Sequence, residues 1–284
     1  MQQIKTIAVC GAGTMGTGIA QVLVTSGYKT IVYEVNQIVA EKSKASLFQS
    51  LENLLLKGKV STQQLQFAKD NLLYTHDTKT VVADVVIEAI VEKLEAKIGL
   101  FKSLMEINNQ NTIFATNTSS ISINTIAEAL QNHKQIVGLH FFNPAPIMKL
   151  VEVIKSNYTS QLVINSMLQL CDVLQKTAVL CNDAPGFIVN RVARHYYLQA
   201  MDLVSNEKAS IQDIDELMEA SGFKMGPFKL MDLIGLDINY GVSEIVYNDL
   251  GKPARLMPSI LQAQKVSAGK LGKKTGEGFY KYNL

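Results

Sequence analysis

The sequence lacks tryptophan and holds only three cysteines, Cys10, Cys171 and Cys181. Their number is odd and no two are spaced as C-x-x-C, so we expect reduced thiols, as in a cytoplasmic protein. The opening residues MQQIKTIAVCGAG have the pattern of a first strand, so no cleavable leader is expected. No apolar run approaches the roughly 18 residues of a membrane-spanning helix, so no membrane association is expected.

Strong charge of either sign is also missing. The 27 Lys and Arg residues nearly balance the 25 Asp and Glu residues, and no Lys/Arg-rich run occurs, which argues against nucleic-acid binding. The four histidines do not have the spacing of metal ligands, so no metal is predicted. His195 lies beside Arg191 and Arg194, and this trio is interpreted as a solvated helix face.

The sequence contains no internal repeat and no low-complexity segment. Its 284 residues, 47% of them hydrophobic, suffice for two domains, since domains average about 100–200 residues. Strand and helix patterns alternate as far as DAPGF at 183–187, and helical patterns follow. We predict an α/β domain over residues 1–184, with a Rossmann-type, doubly wound, mostly parallel sheet, and then an all-α domain over residues 185–284.

Short β-branched and apolar runs bounded by polar or glycine residues predict the strands. They cover residues 4–10, 30–34, 83–90, 112–117, 135–142, 149–154 and 177–182. Patterns of helical period predict four helices in the second domain, at residues 188–205, 211–221, 230–250 and 258–268.

A glycine-rich segment, GAGTMG, separates the first predicted strand from the first predicted helix. It fits G-x-G-x-x-G, in which glycines allow a tight turn, admit a pyrophosphate and let helix and strand pack closely. The second strand ends in Glu34, whose carboxylate suits a ribose and repels the extra phosphate of NADP, so NAD is predicted. The predicted loop contacts are Gly11, Ala12, Gly13, Thr14, Met15 and Gly16. The alternative is a glycine turn that only lets the helix pack, with an incidental glutamate.

The segment HFFNPAPIMKLVEVI places a histidine and a glutamate in two buried-looking strands joined by a short proline-containing loop. If the strands form a hairpin, His140 lies opposite Glu152, with Cβ atoms about 4.5–5.5 Å apart. A carboxylate there orients the imidazole and stabilises its charged form, as a general base of a dehydrogenase requires. The alternative is a histidine that is simply a satisfied part of the core.

Several ordered motifs carry a family resemblance over nearly the whole chain. They are GAGTMGTGIAQ, VIEAIVE, TNTSS, HFFNPAPIMKLVEVI, DAPGFIVNR, MGPFKLMDLIGLD and GKKTGEGFYKY. Together they resemble the 3-hydroxyacyl-CoA dehydrogenases. The resemblance implies reversible NAD-dependent oxidation of an L-3-hydroxyacyl-CoA to the 3-ketoacyl-CoA, in fatty-acid or butanoate metabolism.

The resemblance also implies roles for individual residues. His140 is the general base and Glu152 its orienting partner. Ser119 binds the 3-oxygen of the substrate near the nicotinamide, and Asn190 holds the reacting group or the thioester carbonyl. The remaining implied cofactor contacts are Asn143, Glu92, Lys97 and Lys274, and the implied CoA contacts are Ser50 and Lys57.

The helical second domain resembles the dimerisation unit of that family, and its apolar segments exceed what one small bundle buries. We therefore expect a homodimer; the alternative is that the excess packs on the first domain. Two further functions stay open at this point. One is a dehydrogenase of a free hydroxy acid or sugar acid, and the other is a non-catalytic NAD-binding structural protein.

Overall fold

The computed structural model describes residues 3–283, and the chain divides into two compact units, Met1–Asp183 and Ala184–Leu284. The first unit contains eight strands. They are β1 Thr6–Cys10, β2 Lys29–Tyr33, β3 Leu72–Thr75, β4 Val85–Glu88, β5 Ile113–Thr116, β6 Ile136–Phe141, β7 Leu150–Lys155 and β8 Thr177–Asn182. One sheet holds them in the order β3-β2-β1-β4-β5-β6-β7-β8.

Six helices accompany this sheet. They are α1 Thr14–Thr25, α2 Gln37–Leu56, α3 Thr62–Asn71, α4 Leu94–Met105, α5 Ile123–Glu128 and α6 Gln161–Val173. Adjacent strands are parallel except for β6 and β7, which are antiparallel. The predicted mostly parallel, doubly wound sheet is therefore confirmed. Its core joins apolar residues of the central strands, such as Val9 and Ile87, to Leu23 of α1 and Leu47 of α2.

The sequence prediction omits β3, which lies at the edge of the sheet. Its four residues pair in parallel with β2, from Thr30 opposite Leu72 to Tyr33 opposite Thr75. So short a segment gives almost no alternation from which a strand can be recognised. Its place beside β2 depends on tertiary pairing.

The second unit is helical, as predicted. Its helices are α7 Val189–Ser205, α8 Ile211–Ala220, α9 Pro227–Ile234, α10 Leu236–Asp249 and α11 Ile260–Ser267. The single helix predicted over residues 230–250 is wrong, because the chain turns at Gly235, where φ is 102°. An L-residue rarely adopts that conformation, so the glycine separates α9 from α10.

Two buried carboxylates organise the second unit. Asp215 accepts the backbone N–H of Phe228 at 2.9 Å and of Lys229 at 3.0 Å, which satisfies donors in the first turn of α9. Asp232 accepts the backbone N–H of Phe279 at 2.8 Å and of Tyr280 at 2.9 Å. These bonds fix the C-terminal segment that carries the GKKTGEGFYKY motif.

The sequence analysis interprets Arg191, Arg194 and His195 as a solvated helix face. For Arg194 this interpretation is wrong. Its side chain is buried, at 3% exposure, whereas His195 is exposed. Arg194 donates to the carbonyl oxygen of Asn239 at 2.7 Å and to Ser243 Oγ at 2.9 Å, which ties α7 to α10. Burial lowers the pKa of its guanidinium to about 10.

In residues 3–283, no helix combines the length and the apolar character needed to cross a membrane.

Candidate active site

The glycine-rich loop joins β1 to α1. At Gly11, where φ is 101°, an added Cβ would lie 2.5 Å from the carbonyl oxygen of Ala89, and at Gly16 it would lie 1.8 Å from that of Gly11. The packing of the protein itself therefore requires these two glycines. At Gly13, an added Cβ would meet nothing within 4 Å. A side chain there would occupy open space above the loop, which is where a pyrophosphate needs bare backbone.

Helix α1 begins at this loop without a side-chain cap. Its N-cap residue is Gly13, which has no side chain to cap the helix, and the first turn holds no acidic residue. Gly13 and Thr14 are exposed and Met15 is half-buried. Backbone N–H groups and the positive end of the helix dipole thus face outward, an arrangement suited to a phosphate. The loop fits a dinucleotide.

Glu34 follows β2 and reaches back to the loop. Its Oε2 accepts the backbone N–H of Ala12 at 2.9 Å, and its Oε1 accepts that of Asn36 at 3.0 Å. Two main-chain donors therefore hold the carboxylate at the rim of the glycine loop. Its predicted contact with an adenosine ribose is consistent with this position and stays a prediction.

The predicted hairpin is confirmed, since β6 and β7 pair with His140 opposite Glu152. The imidazole Nδ1 lies 2.8 Å from Glu152 Oε2. His140 is 6% exposed and Glu152 is 1% exposed. Because an ionised carboxylate only accepts hydrogen bonds, the imidazole donates its Nδ1–H. The Phe142 ring packs 4.5 Å from the imidazole, centroid to centroid. The site therefore holds a carboxylate-supported histidine at the end of a rigid strand.

The loop after His140 carries Asn143, which is exposed, and a cis peptide bond between Asn143 and Pro144. Lys176 fixes this loop, because its Nζ donates to the carbonyl oxygens of Ala145 at 2.6 Å and Met148 at 2.8 Å. Sequence analysis does not identify Lys176, since an isolated lysine before a strand gives no signal of such a contact.

Ser119 and Glu92 are brought together near the ends of β4 and β5. Glu92 Oε1 accepts the backbone N–H of Ser119 at 3.1 Å and the hydroxyl of Ser120 at 3.1 Å, and it also accepts the hydroxyl of Thr118. Burial acts to raise the pKa of Glu92, but the positive charge of Lys97 and these hydrogen bonds lower it overall. Glu92 therefore stays ionised at neutral pH.

Lys97, predicted to contact the cofactor, lies behind Glu92. It is 1% exposed, and its Nζ is 3.0 Å from Glu92 Oε2 and 2.6 Å from Glu88 Oε1. Glu88, at the end of β4, is a polar residue of this region that the sequence predictions omit. The available signal was its acidic side chain inside an otherwise apolar strand, VVIE.

Four predicted contacts lie farther along the helices or at the C-terminal end. Asn190 is in the first turn of α7, where its carbonyl oxygen accepts from Arg194 Nε at 3.0 Å. Lys274 pairs with Asp237, at 2.6 and 2.8 Å from its two carboxylate oxygens. Ser50 is half-buried in α2, and Lys57 is exposed at the end of that helix. The ligand contacts assigned to these four residues stay predictions.

Among residues 3–283, no group of three or more His, Cys, Asp or Glu side chains is arranged to hold a metal ion. The three cysteines are buried, and burial raises the pKa of the Cys171 and Cys181 thiols to about 12.

The sequence matches two family descriptions in tandem. Residues 6–184 match "3-hydroxyacyl-CoA dehydrogenase, NAD binding domain", and residues 186–282 match "3-hydroxyacyl-CoA dehydrogenase, C-terminal domain". A 3-hydroxyadipyl-CoA dehydrogenase of Escherichia coli is 40% identical, and the match covers 99% of this chain. That relative is longer, and the match covers 59% of its length. A mitochondrial hydroxyacyl-coenzyme A dehydrogenase of Rattus norvegicus is 40% identical, with 98% of this chain and 91% of the relative covered.

Solved structures of 3-hydroxybutyryl-CoA dehydrogenases have the same fold as this chain. A 3-hydroxybutyryl-CoA dehydrogenase from Escherichia coli K12 has a TM-score of 0.97 at 38% identity, covering 100% of this chain and 60% of that one. An (S)-3-hydroxybutyryl-CoA dehydrogenase from Ralstonia eutropha has a TM-score of 0.95 at 33% identity, covering 99% of this chain and 100% of that one.

Proposed function

The chain belongs to the 3-hydroxyacyl-CoA dehydrogenase family, and from this premise we propose that it catalyses the reversible NAD-dependent oxidation of short-chain L-3-hydroxyacyl-CoA to 3-ketoacyl-CoA. The proposed substrate is 3-hydroxybutyryl-CoA, because dehydrogenases of that name match the whole fold at high TM-score. The observation that carries the proposal is the bond between His140 and Glu152.

The chemistry of the bound NAD is to accept a hydride from the carbon that bears the hydroxyl group. His140 takes the hydroxyl proton on Nε2, because Nδ1 already faces Glu152 at 2.8 Å. Glu152 holds the imidazole in one tautomer and stabilises the imidazolium that forms. In the reverse direction, the same imidazolium returns its proton to the developing alkoxide.

Ser119 and Asn190 are proposed to donate hydrogen bonds to the oxygen atoms of the substrate. Preorganised donors stabilise the charge that develops on a carbonyl oxygen as the ketone is reduced. The support for Ser119 is the fixed turn around it, whose backbone N–H is bound to Glu92. The support for Asn190 is its position in the DAPGFIVNR motif. Ser50 and Lys57 are proposed to bind the CoA moiety.

The NAD site is proposed to consist of the glycine loop at residues 11–16, with Glu34 at the adenosine end. Glu92, Asn143, Ser119 and Lys274 are proposed at the nicotinamide end. The support is the open space at Gly13 and the uncapped start of α1. Glu34 is held by two backbone donors, which keeps its charge at the rim where an extra phosphate of NADP would lie.

Comparing two substrates tests this proposal. NADH oxidation is followed by absorbance with acetoacetyl-CoA and, separately, with acetoacetate. The proposal predicts rapid NADH oxidation with the thioester and little with the free acid. Preference for the free acid would favour a dehydrogenase of a free hydroxy acid or sugar acid. Oxidation with neither substrate would favour a non-catalytic NAD-binding protein.

We also propose that the enzyme is a cytoplasmic homodimer. The support for the dimer is a set of large apolar side chains exposed on the second unit: Val192, Leu217, Phe223, Ile238 and Ile260. Exposed apolar surface of this kind is covered in closed symmetric assemblies. The support for the compartment is that all three cysteines are unpaired.

A further inference from the structure

Three charged side chains, Glu88, Lys97 and Glu92, contact one another in series, and the last of them binds the turn that carries Ser119. Glu88 ends β4 and is fully buried, with its Oε1 at 2.6 Å from Lys97 Nζ and at 2.7 Å from the backbone nitrogen of Ile90. Its Oε2 accepts the hydroxyl of Thr116 at 2.6 Å. Both oxygens of this carboxylate thus accept hydrogen bonds, from three donors on β5, on α4 and at the end of its own strand.

Lys97 also contacts Glu92, which lies at the surface. Lys97 Nζ is 3.0 Å from Glu92 Oε2, and the side chain of Glu92 is 39% exposed. The other oxygen of Glu92 binds the backbone N–H of Ser119 and the hydroxyls of Thr118 and Ser120. Of the three charged residues, Glu92 alone reaches solvent, and Lys97 joins it to the buried Glu88.

The energetics of this arrangement favour a positioning role. Two carboxylates share one buried ammonium, and burying charges costs more than a hydrophobic replacement of similar volume would. Such a group contributes little net stability, but it fixes geometry, because each bond is short and directed. The geometry that it fixes is the orientation of Glu92 and the turn from Thr118 to Ser120.

We propose that Glu88 is a positioning residue of the cofactor site, which acts through Lys97 to hold Glu92 and the Thr118–Ser120 turn in their binding geometry. In this proposal, Lys97 is the cation that joins the two carboxylates. The inference rests on the NAD site of the proposed function, but not on the identity of the acyl-CoA substrate.

The first test is the dissociation constant of NADH, measured by fluorescence for Glu88→Gln. Glutamine keeps the shape and accepts from Lys97 and Ile90, and the Thr116 hydroxyl can turn to accept from its amide. The charge is lost, and of these hydrogen bonds only the one with Thr116 reverses its direction. We expect the constant to rise on the order of fivefold, as for coupled neighbours in one network. A value within about twofold of wild type, with only a lower melting temperature, would show a structural role and overturn the proposal.

Asp215→Asn provides the matched control. Asp215 is also fully buried and also accepts three hydrogen bonds, from Phe228, Lys229 and Tyr280, but these partners belong to the second unit. This variant is expected to melt at lower temperature while its NADH affinity stays within about twofold of wild type. A loss of affinity equal to that of Glu88→Gln would mean that any buried carboxylate has the same effect, which would count against the proposal.

A double-mutant cycle tests whether Glu88 acts through Glu92. In a Glu92→Gln background, Glu88→Gln should change the NADH dissociation constant by less than about twofold, because the group that it positions has already lost its charge. If the two substitutions instead multiply their separate effects, Glu88 does not act through Glu92.

A second variant keeps the proposal testable if Glu88→Gln does not fold. Glu88→Gln combined with Lys97→Met leaves no buried charge, a replacement that proteins often tolerate. Glu92 then loses its cation, and NADH affinity should fall on the order of tenfold. Wild-type NADH affinity in this variant would overturn the proposal that Glu88 and Lys97 position Glu92. Failure of the wild type to use acetoacetyl-CoA would refute the proposed substrate alone, whereas failure of the wild type to bind NADH would refute both.

Discussion

Glu34 is the side chain through which we propose that the loop at residues 11–16 affects the choice between NAD and NADP. Its two oxygens bind the amides of Ala12 and Asn36, so the carboxylate is fixed beside the glycine loop before any ligand arrives. An anion fixed there favours ribose hydroxyls and opposes a phosphate on the same sugar.

We predict that Glu34→Ala weakens NADH binding about tenfold and narrows the preference for NADH over NADPH. The reason is the loss of both the ribose acceptor and the negative charge, worth about 1.5–3 kcal/mol for a charged hydrogen bond. Dissociation constants for the two nucleotides, measured by fluorescence, test this. Unchanged values for both would contradict the ribose role.

The residue scale also shows what sequence alone could predict. His140 and Glu152 were predictable as a pair, because a short hairpin fixes which residues oppose each other. Glu88 and Lys97 were not predictable as partners, since their contact depends on how α4 packs behind β4. The sequence gives no sign that Lys97 is buried between two carboxylates, as the structure places it.

At the scale of elements, the break between α9 and α10 is set by one residue. Gly235 adopts φ 102°, and an added Cβ would lie 3.0 Å from Asp237 Oδ1 and 3.1 Å from Lys274 Nζ. The apolar periodicity of residues 230–250 continues across this point, so the sequence predicted one helix. Periodicity records which side chains are buried and does not reveal a change in backbone direction. The short strand β3 was missed for a related reason, because its four residues depend on β2 for their conformation.

We predict that Gly235→Ala destabilises the protein by about 1–3 kcal/mol, the usual cost of an unfavourable backbone conformation. Urea denaturation measures the change. Gly241→Ala is the control, because Gly241 lies inside α10 and an added Cβ there meets nothing within 4 Å. It should stabilise the protein by about 0.5–1 kcal/mol. Equal effects of the two substitutions would contradict the role assigned to Gly235.

At the scale of the whole molecule, the alternation of strand and helix in the sequence predicted a doubly wound sheet and then a helical unit. That prediction succeeds because hydrophobic periods of two and of 3.6 residues are properties of local sequence. The assembly state depends instead on surface that one chain leaves exposed. The exposed apolar side chains of the second unit, Val192, Leu217, Phe223, Ile238 and Ile260 among them, are the surface that we propose a second copy covers.

We predict a particle mass of twice 31.2 kDa by light scattering, and dissociation toward single chains in Ile260→Glu. A charge in a buried apolar contact is costly, so the exposed side chain of Ile260 is a suitable probe. Leu56→Glu, on the first unit, changes another exposed aliphatic side chain and should leave the mass unaltered. A wild-type mass of 31.2 kDa would contradict the proposed dimer.

We propose that His140, supported by Glu152, transfers the proton, and this role is tested by the turnover number of His140→Ala with acetoacetyl-CoA and NADH. We expect the turnover number to fall at least about 100-fold, within the range for acid–base groups. NADH affinity should be retained, and His133→Ala, which removes a histidine just before β6, should keep wild-type turnover. A turnover number for His140→Ala close to that of the wild type would contradict the account.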